Sequence, residues 1–171
     1  MKLYIGDITK VKADVIVNAA DSDFTPSGGV SHWIDKEGGK EIFKEAIKYT
    51  PGKVGVTYPT TAGSLNAKAV FHIPTVDWKK GYKITIPEIH DTVVGAMEKL
   101  REMKLKSIVF PLLGGGTLKL DSRQVVEEMS DAIIHTKEDF HELDGAICVF
   151  TKQVYEDIKD VLPTETEVIE L

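Results

Sequence analysis

The sequence predicts a three-layer α/β fold, and three observations predict it. Short apolar runs of strand character recur along the chain: Asp14-Val-Ile-Val17, Ala69-Val-Phe-His-Ile73, Ser107-Ile-Val-Phe110 and Ala146-Ile-Cys-Val-Phe150. Segments with apolar residues at helical spacing alternate with them, as layered sheets require. A run of three glycines, in FPLLGGGTLK (110 to 119), stands between one strand and the next helix. Ligands of such sheets bind at the carboxyl ends of the strands, which is where a loop of this kind sits.

The elements follow in order. Leu3 and Ile5 alternate with Lys2 and Tyr4 as a first strand, and Asp14–Val17 is a second, apolar enough to be buried on both faces. Val30, Trp33 and Ile34 lie at helical spacing, as do Ile42, Phe43, Ala46 and Ile47 beyond the Gly38-Gly39 break. Val54, Val56 and Tyr58 alternate like a strand, and the run at 69–73 follows. Thr85 and Glu88 have capping-box spacing, with Pro87 in the first turn and Ile86, Ile89, Val93, Met97 and Leu100 as the buried stripe. After the strand at 107–110, Asp121 and Gln124 cap a helix whose apolar face is Val125, Val126, Met129, Ala132 and Ile133. The last strand is 146–150, and Val154, Tyr155, Ile158, Val161 and Leu162 face inward from the last helix. Residues 1–162 read as one domain, and PTETEVIEL (163–171) as a loose acidic tail.

Composition excludes several classes. No apolar run approaches membrane-spanning length, and MKLYIGDIT lacks the apolar core of a signal peptide. The single cysteine, Cys148, reads as a small core residue and fits a reducing cytoplasm. A net charge of −6 with scattered Lys and Arg argues against general nucleic-acid binding. The sequence leaves the oligomeric state open.

Glycines let backbone N–H groups approach an anion closely, and a helix N-terminus adds the positive end of its dipole. The loop at 114–116 therefore reads as a phosphate cradle that needs no side-chain charge. Known phosphate motifs do not match. GGGT is followed by Leu118-Lys119 rather than Lys-Ser/Thr, and the first strand ends in Gly6-Asp7-Ile8-Thr9 rather than a dinucleotide fingerprint. DSDFTPSGGVSH is no calcium loop, since Pro26 and His32 replace the turn glycine and the bidentate glutamate. There is no HExxH, GxSxG or paired CxxC, so no metal site and no cofactor are expected.

Four segments fit together: GDIT (6 to 9), VNAAD (17 to 21) with GGV (28 to 30), AGSLNAKAVFH (62 to 72) with Trp78 six residues on, and FPLLGGGT (110 to 117). In this order and spacing they resemble the macrodomain family, which binds ADP-ribose. The resemblance runs from Leu3 to about Leu162 and implies a mixed, roughly six-stranded sheet between helical layers.

The resemblance also implies site residues. Asp7 matches the acid that accepts from the adenine amino group, Ile8 the residue whose N–H meets the ring, and Phe150 an aromatic against adenine. Gly28, Gly29 and Val30 match the first diphosphate loop, and Gly114, Gly115, Gly116, Thr117 and Leu118 the second. Asn18 matches an Asn that shapes the ribose site. His72 and Trp78 read as packing.

Departures bear on activity. Asp21 stands where the family has an Asn that contacts the terminal ribose, and Ser31 where many hydrolytic members carry a water-activating Asp. Ser27 replaces a glycine, His32 a small residue, Leu118 an aromatic, and Thr75-Val76 a Gly-Pro. A serine is no general base without a partner. An Asp21 carboxylate near a diphosphate opposes it: like charges ~4 Å apart cost ~1 kcal/mol in water and ~4 kcal/mol at an effective dielectric of 20. The expected activities are binding of ADP-ribose or an ADP-ribosylated macromolecule, or hydrolysis of ADP-ribose esters or adducts with Asp21 (aided by Asn18), His32 or a held water. The third alternative is a diverged domain for another nucleotide.

Overall fold

A computed structural model describes residues 1–171. One eight-stranded sheet contains β1 (Lys2–Ile5), β2 (Val15–Asp21), β3 (Tyr58–Thr60), β4 (Ala69–Asp77), β5 (Tyr82–Lys83), β6 (Ser107–Pro111), β7 (Asp144–Val149) and β8 (Glu167–Glu170). The order is β3-β4-β2-β6-β7-β1-β8, with β5 pairing the end of β4. The strands β4, β2, β6, β7, β1 and β8 are mutually parallel, while β3 and β5 run antiparallel to β4. The carboxyl ends of the parallel strands therefore lie on one edge of the sheet.

Two helical layers cover it. α1 (Gly29–Gly38) and α2 (Glu41–Ala46) lie on one face; α3 (Ile86–Glu102), α4 (Ser122–Asp139) and α5 (Lys152–Ile158) lie on the other. Alternation along β2 supplies both cores. Val15 and Val17 pack toward α3 and α4, while Ile16 and Ala20 pack toward Ile34, Ile42 and Phe43. Asp14 fixes the opposite ends of three strands. Its side chain accepts from the N–H groups of Lys106 and Ser107 at 2.8 and 3.3 Å, and its carbonyl accepts from those of Lys68 and Ala69.

Local expectations hold with some corrections. The Thr85–Glu88 cap closes through the Glu88 carboxylate, which accepts the Thr85 N–H and hydroxyl, each at 2.8 Å. Glu88 also accepts the Tyr82 hydroxyl, which stitches β5 to α3. Val54 and Val56 lie in turns and only Tyr58 enters β3, because Gly55 adopts φ +84° between them. The sheet exceeds six strands through β5 and β8. Residues 163–171, expected as a loose tail, supply β8, which runs parallel to β1 with Leu3 opposite Val168. Its two apolar residues, Val168 and Ile169, are adjacent between glutamates and the strand is mostly exposed, so pairing with β1 rather than hydrophobic burial places it.

Candidate functional site

A cleft of about 530 Å³ crosses the carboxyl ends of the parallel strands. The loop after β1 brings Gly6, Asp7 and Ile8 to it, and the end of β7 brings Cys148, Val149 and Phe150. The end of β2 brings Ala19, Ala20 and Asp21, and β4 brings Thr75, Val76 and, just beyond, Trp78. From β1 to β4 there are four interstrand steps of about 4.8 Å, so the cleft offers a run of about 19 Å. An elongated ligand fits such a trough better than a compact one.

Two loops form the walls. The first contains Ser27, Gly28, Gly29, Val30 and Ser31, and the second Gly114, Gly115, Gly116, Thr117 and Leu118. Gly28 is the N-cap of α1 and no side chain caps the helix, so the N–H groups of Gly29, Val30 and Ser31 are open. Gly28 and Gly29 have φ +76° and +54°, positive-φ backbone that suits glycine, and both line the cleft. In the second loop, the N–H of Gly115 bonds to the Leu112 carbonyl, whereas those of Gly114, Gly116, Thr117 and Leu118 meet no protein acceptor. No Lys or Arg lines the cleft, and its charged residues are Asp7 and Asp21. The arrangement can hold an anion through peptide dipoles alone.

The helix dipole comes from a different helix than the sequence suggests. The N-terminus of α4, which follows the glycine run, is closed by Asp121, whose carboxylate accepts the N–H groups of Arg123 and Gln124 at 3.0 Å each. Neither residue reaches the cleft. The open helix end is that of α1.

The acids are both partly engaged. Asp7 Oδ1 accepts from the Thr9 N–H at 2.9 Å and hydroxyl at 2.7 Å, which leaves Oδ2 to face a ligand donor. Asp21 Oδ1 accepts from the N–H groups of Asp23 and Thr25 at 2.9 and 3.1 Å and from the Thr25 hydroxyl at 3.3 Å. Its other oxygen takes no hydrogen bond from the protein.

Asn18 lies behind the cleft wall, fully buried. Its Oδ1 accepts the Ser31 hydroxyl at 2.9 Å and its Nδ2 faces His72 Nδ1 at 3.0 Å. Burial holds His72 neutral, with its pKa lowered to about 3. The histidine expected in the core is there, between the edges of Phe24 and Phe43. Cys148 lines the floor with its thiol toward the Gly6 carbonyl, and burial together with the Asp7 charge pushes its pKa up to about 12. It is a wall atom rather than a nucleophile.

Aromatic residues mark the two ends. Phe150, at 60% exposure, stacks with Trp33 of α1 at 6.4 Å and 29°. Trp78, expected as packing, is 57% exposed on the rim, with Lys83 Nζ 5.7 Å from its ring. Helical spacing alone puts Trp33 in the apolar stripe of α1 and so hides its role. The buried stripe is Ser31, Ile34 and Gly38, which turns Trp33 toward the cleft. His32 lies outside the cleft, edge-on to Trp33.

Residues 17–129, which include Asn18, the first loop, His72, Trp78 and the whole glycine loop, match the family model of the Macro domain. The chain belongs to the Macro domain family. Among its relatives, an uncharacterized protein of Sulfurisphaera tokodaii is 32% identical over 160 residues, 91% of this chain and 86% of that one. The protein named O-acetyl-ADP-ribose deacetylase in Escherichia fergusonii is 33% identical over 115 residues, 65% of each chain. The fold matches a mutant of the Oceanobacillus iheyensis macrodomain, solved with ADPR, with a TM-score of 0.84 at 21% identity over 93% of this chain and 89% of that one. The macrodomain fold is thus established, including the mixed sheet between two helical layers.

Proposed function

We propose that this macrodomain binds ADP-ribose, free or as an ADP-ribosyl group on a macromolecule, and holds it without cleaving it. The observation that carries the proposal is the pair of facing loops with open N–H groups, set midway along a cleft about 19 Å long that has no cation. A diphosphate at its centre matches the loops. Adenine belongs at the Asp7 end, where Asp7 Oδ2 accepts its amino group, the Ile8 N–H meets the ring, and Phe150 and Trp33 offer π-faces. The terminal ribose then points toward Asp21, Leu118 and Trp78. The Oceanobacillus neighbour solved with ADPR supports the ligand class.

Hydrolysis is the second reading, favoured by the name of the Escherichia fergusonii relative. It needs a base near the terminal ribose, and the groups there are poorly suited. Ser31 gives its proton to Asn18, and Asp21 Oδ1 already accepts three hydrogen bonds. A water held by Asp21 Oδ2 is the remaining route.

Calorimetric titration with ADP-ribose, with AMP and ribose 5-phosphate as half-ligands, tests the binding proposal. Micromolar ADP-ribose with both halves far weaker is expected. Silence with ADP-ribose refutes it and redirects the search to other nucleotides. Turnover of an ADP-ribose ester or adduct, abolished by Asp21→Asn, would convert the binding module into an enzyme.

A further inference from the structure

The buried group with no role in the cleft chemistry is His72, and its hydrogen bonds have one consistent direction. Thr60 Oγ1 donates to the Thr61 carbonyl at 3.0 Å, so at 2.8 Å from His72 Nε2 it accepts that nitrogen's proton. His72 Nδ1 is then bare and accepts from Asn18 Nδ2 at 3.0 Å. Asn18 Oδ1 consequently faces outward and accepts the Ser31 hydroxyl at 2.9 Å. Thr60, His72, Asn18 and Ser31 are all buried, and they link β3, β4, β2 and the first turn of α1. The rest of that first turn has only the helix's own backbone bonds and its apolar packing to hold it, since Gly28 and Gly29 carry no side chain to anchor it.

We propose that Thr60, His72, Asn18 and Ser31 form a positioning relay that sets the rotation of α1, so that the open N–H groups of Gly29, Val30 and Ser31 point at the ligand's diphosphate. The identity of the ligand rests on the reading above; the relay itself does not. Ser31 is a positioning residue here, because its proton is directed into the protein. The direction is imposed at Thr60, on the far side of two buried side chains. With no acceptor at position 60, His72 favours the Nδ1–H tautomer, the Asn18 amide turns over, and Ser31 loses its acceptor.

Nitrogen-15 NMR of the histidine side chains and backbone amides, combined with ADP-ribose titration, tests the relay. In the wild type, His72 carries its proton on Nε2; protonation on Nδ1 overturns the proposal. Thr60→Val is expected to shift the His72 tautomer, move the amide resonances of Gly29–Ser31 and weaken ADP-ribose about tenfold, while Thr60→Ser behaves as wild type. A folded Thr60→Val protein with unchanged affinity and unchanged loop amides overturns it. If Thr60→Val does not fold, Ser31→Ala decides: weaker binding and displaced Gly29 and Val30 amides support the relay, and undisturbed amides refute it. If wild type binds no ADP-ribose, the functional proposal fails, and the tautomer and loop resonances still decide the relay.

Discussion

Trp33 and Phe150 stack at one end of the cleft, their ring centroids 6.4 Å apart and their planes at 29°. A purine between two rings needs about 7 Å, two van der Waals contacts in series, so a small outward motion of the exposed Phe150 side chain admits one. The two tryptophans of the chain, Trp33 and Trp78, line opposite ends of the cleft. Intrinsic fluorescence therefore reads each end separately. AMP is expected to quench wild type and Trp78→Phe but leave Trp33→Phe unchanged, whereas ADP-ribose perturbs both single-tryptophan proteins. Phe150→Ala should weaken ADP-ribose by about 2- to 12-fold, the equivalent of ~0.5–1.5 kcal/mol of aromatic stacking. Equal quenching of both tryptophans by AMP would contradict this placement.

Asp21→Asn keeps an oxygen for the turn formed with Asp23 and Thr25 while removing a charge from the cleft. With its repulsion of the diphosphate removed, worth ~1 kcal/mol in water at ~4 Å and less at the distance of the terminal ribose, ADP-ribose should bind tighter by up to about fivefold. The gain should shrink as salt rises, because exposed charges are screened. Calorimetry at two ionic strengths measures both effects, and unchanged affinity would place Asp21 away from the phosphates.

The glycines separate by what a methyl group would meet. At Gly114, φ is +75° and an added Cβ would lie 2.6 Å from Leu120 Cδ1, so Gly114→Ala should lower the melting temperature. At Gly116 the space is open and the backbone is not left-handed, so Gly116→Ala should leave melting unchanged. It should still weaken ADP-ribose, because the methyl group enters the cleft beside free amides. Thermal melts with and without ligand distinguish the two. Ligand stabilisation that survives intact in Gly116→Ala would remove that residue from the contact surface.

His72 gives stability a defined pH dependence. Its folded pKa of about 3 lies below the ordinary value of 6.5, so between these limits the unfolded chain binds the extra proton. Stability is therefore full above about pH 6.5 and declines as pH falls toward 3, at up to ~1.4 kcal/mol per pH unit for this group. Urea unfolding from pH 7 to pH 4 should show that slope, and a variant such as His72→Gln should lose this part of it. Carboxylates steepen the limb near its lower end. Asp14 is one: its backbone hydrogen bonds and Lys68 outweigh burial and lower its pKa, so its contribution disappears as the pH drops below the usual carboxylate range.

The central strands and the glycine loop at 114–116 were legible because their signals are local, whereas the first loop was legible only through the family resemblance. A run such as Ser107–Phe110 or a cap such as Asp121 declares itself within a few residues. Features set by distant partners were not legible, and three of them show why. β8 exists through pairing with β1, at the opposite end of the chain, and its own glutamate-flanked pattern carries no such information. Trp33 reaches the cleft because Ser31, a polar residue, takes a buried place on α1, paired to Asn18. Asn18 matched a ribose-shaping residue in its motif, yet the fold surrounds it with His72 and Ser31 behind the wall. Partners distant in sequence decided each case, and periodicity is blind to them.

The open amides of the two loops have one more consequence. A surface built from peptide groups has no side chain that a point mutation can delete; it is inherited as a backbone path, maintained by the glycines that permit the path. Substitutions of the side chains around such a trough therefore leave its row of peptide donors in place, provided the glycines that shape the path are kept. The Oceanobacillus protein shares about a fifth of its residues with this chain and the same fold.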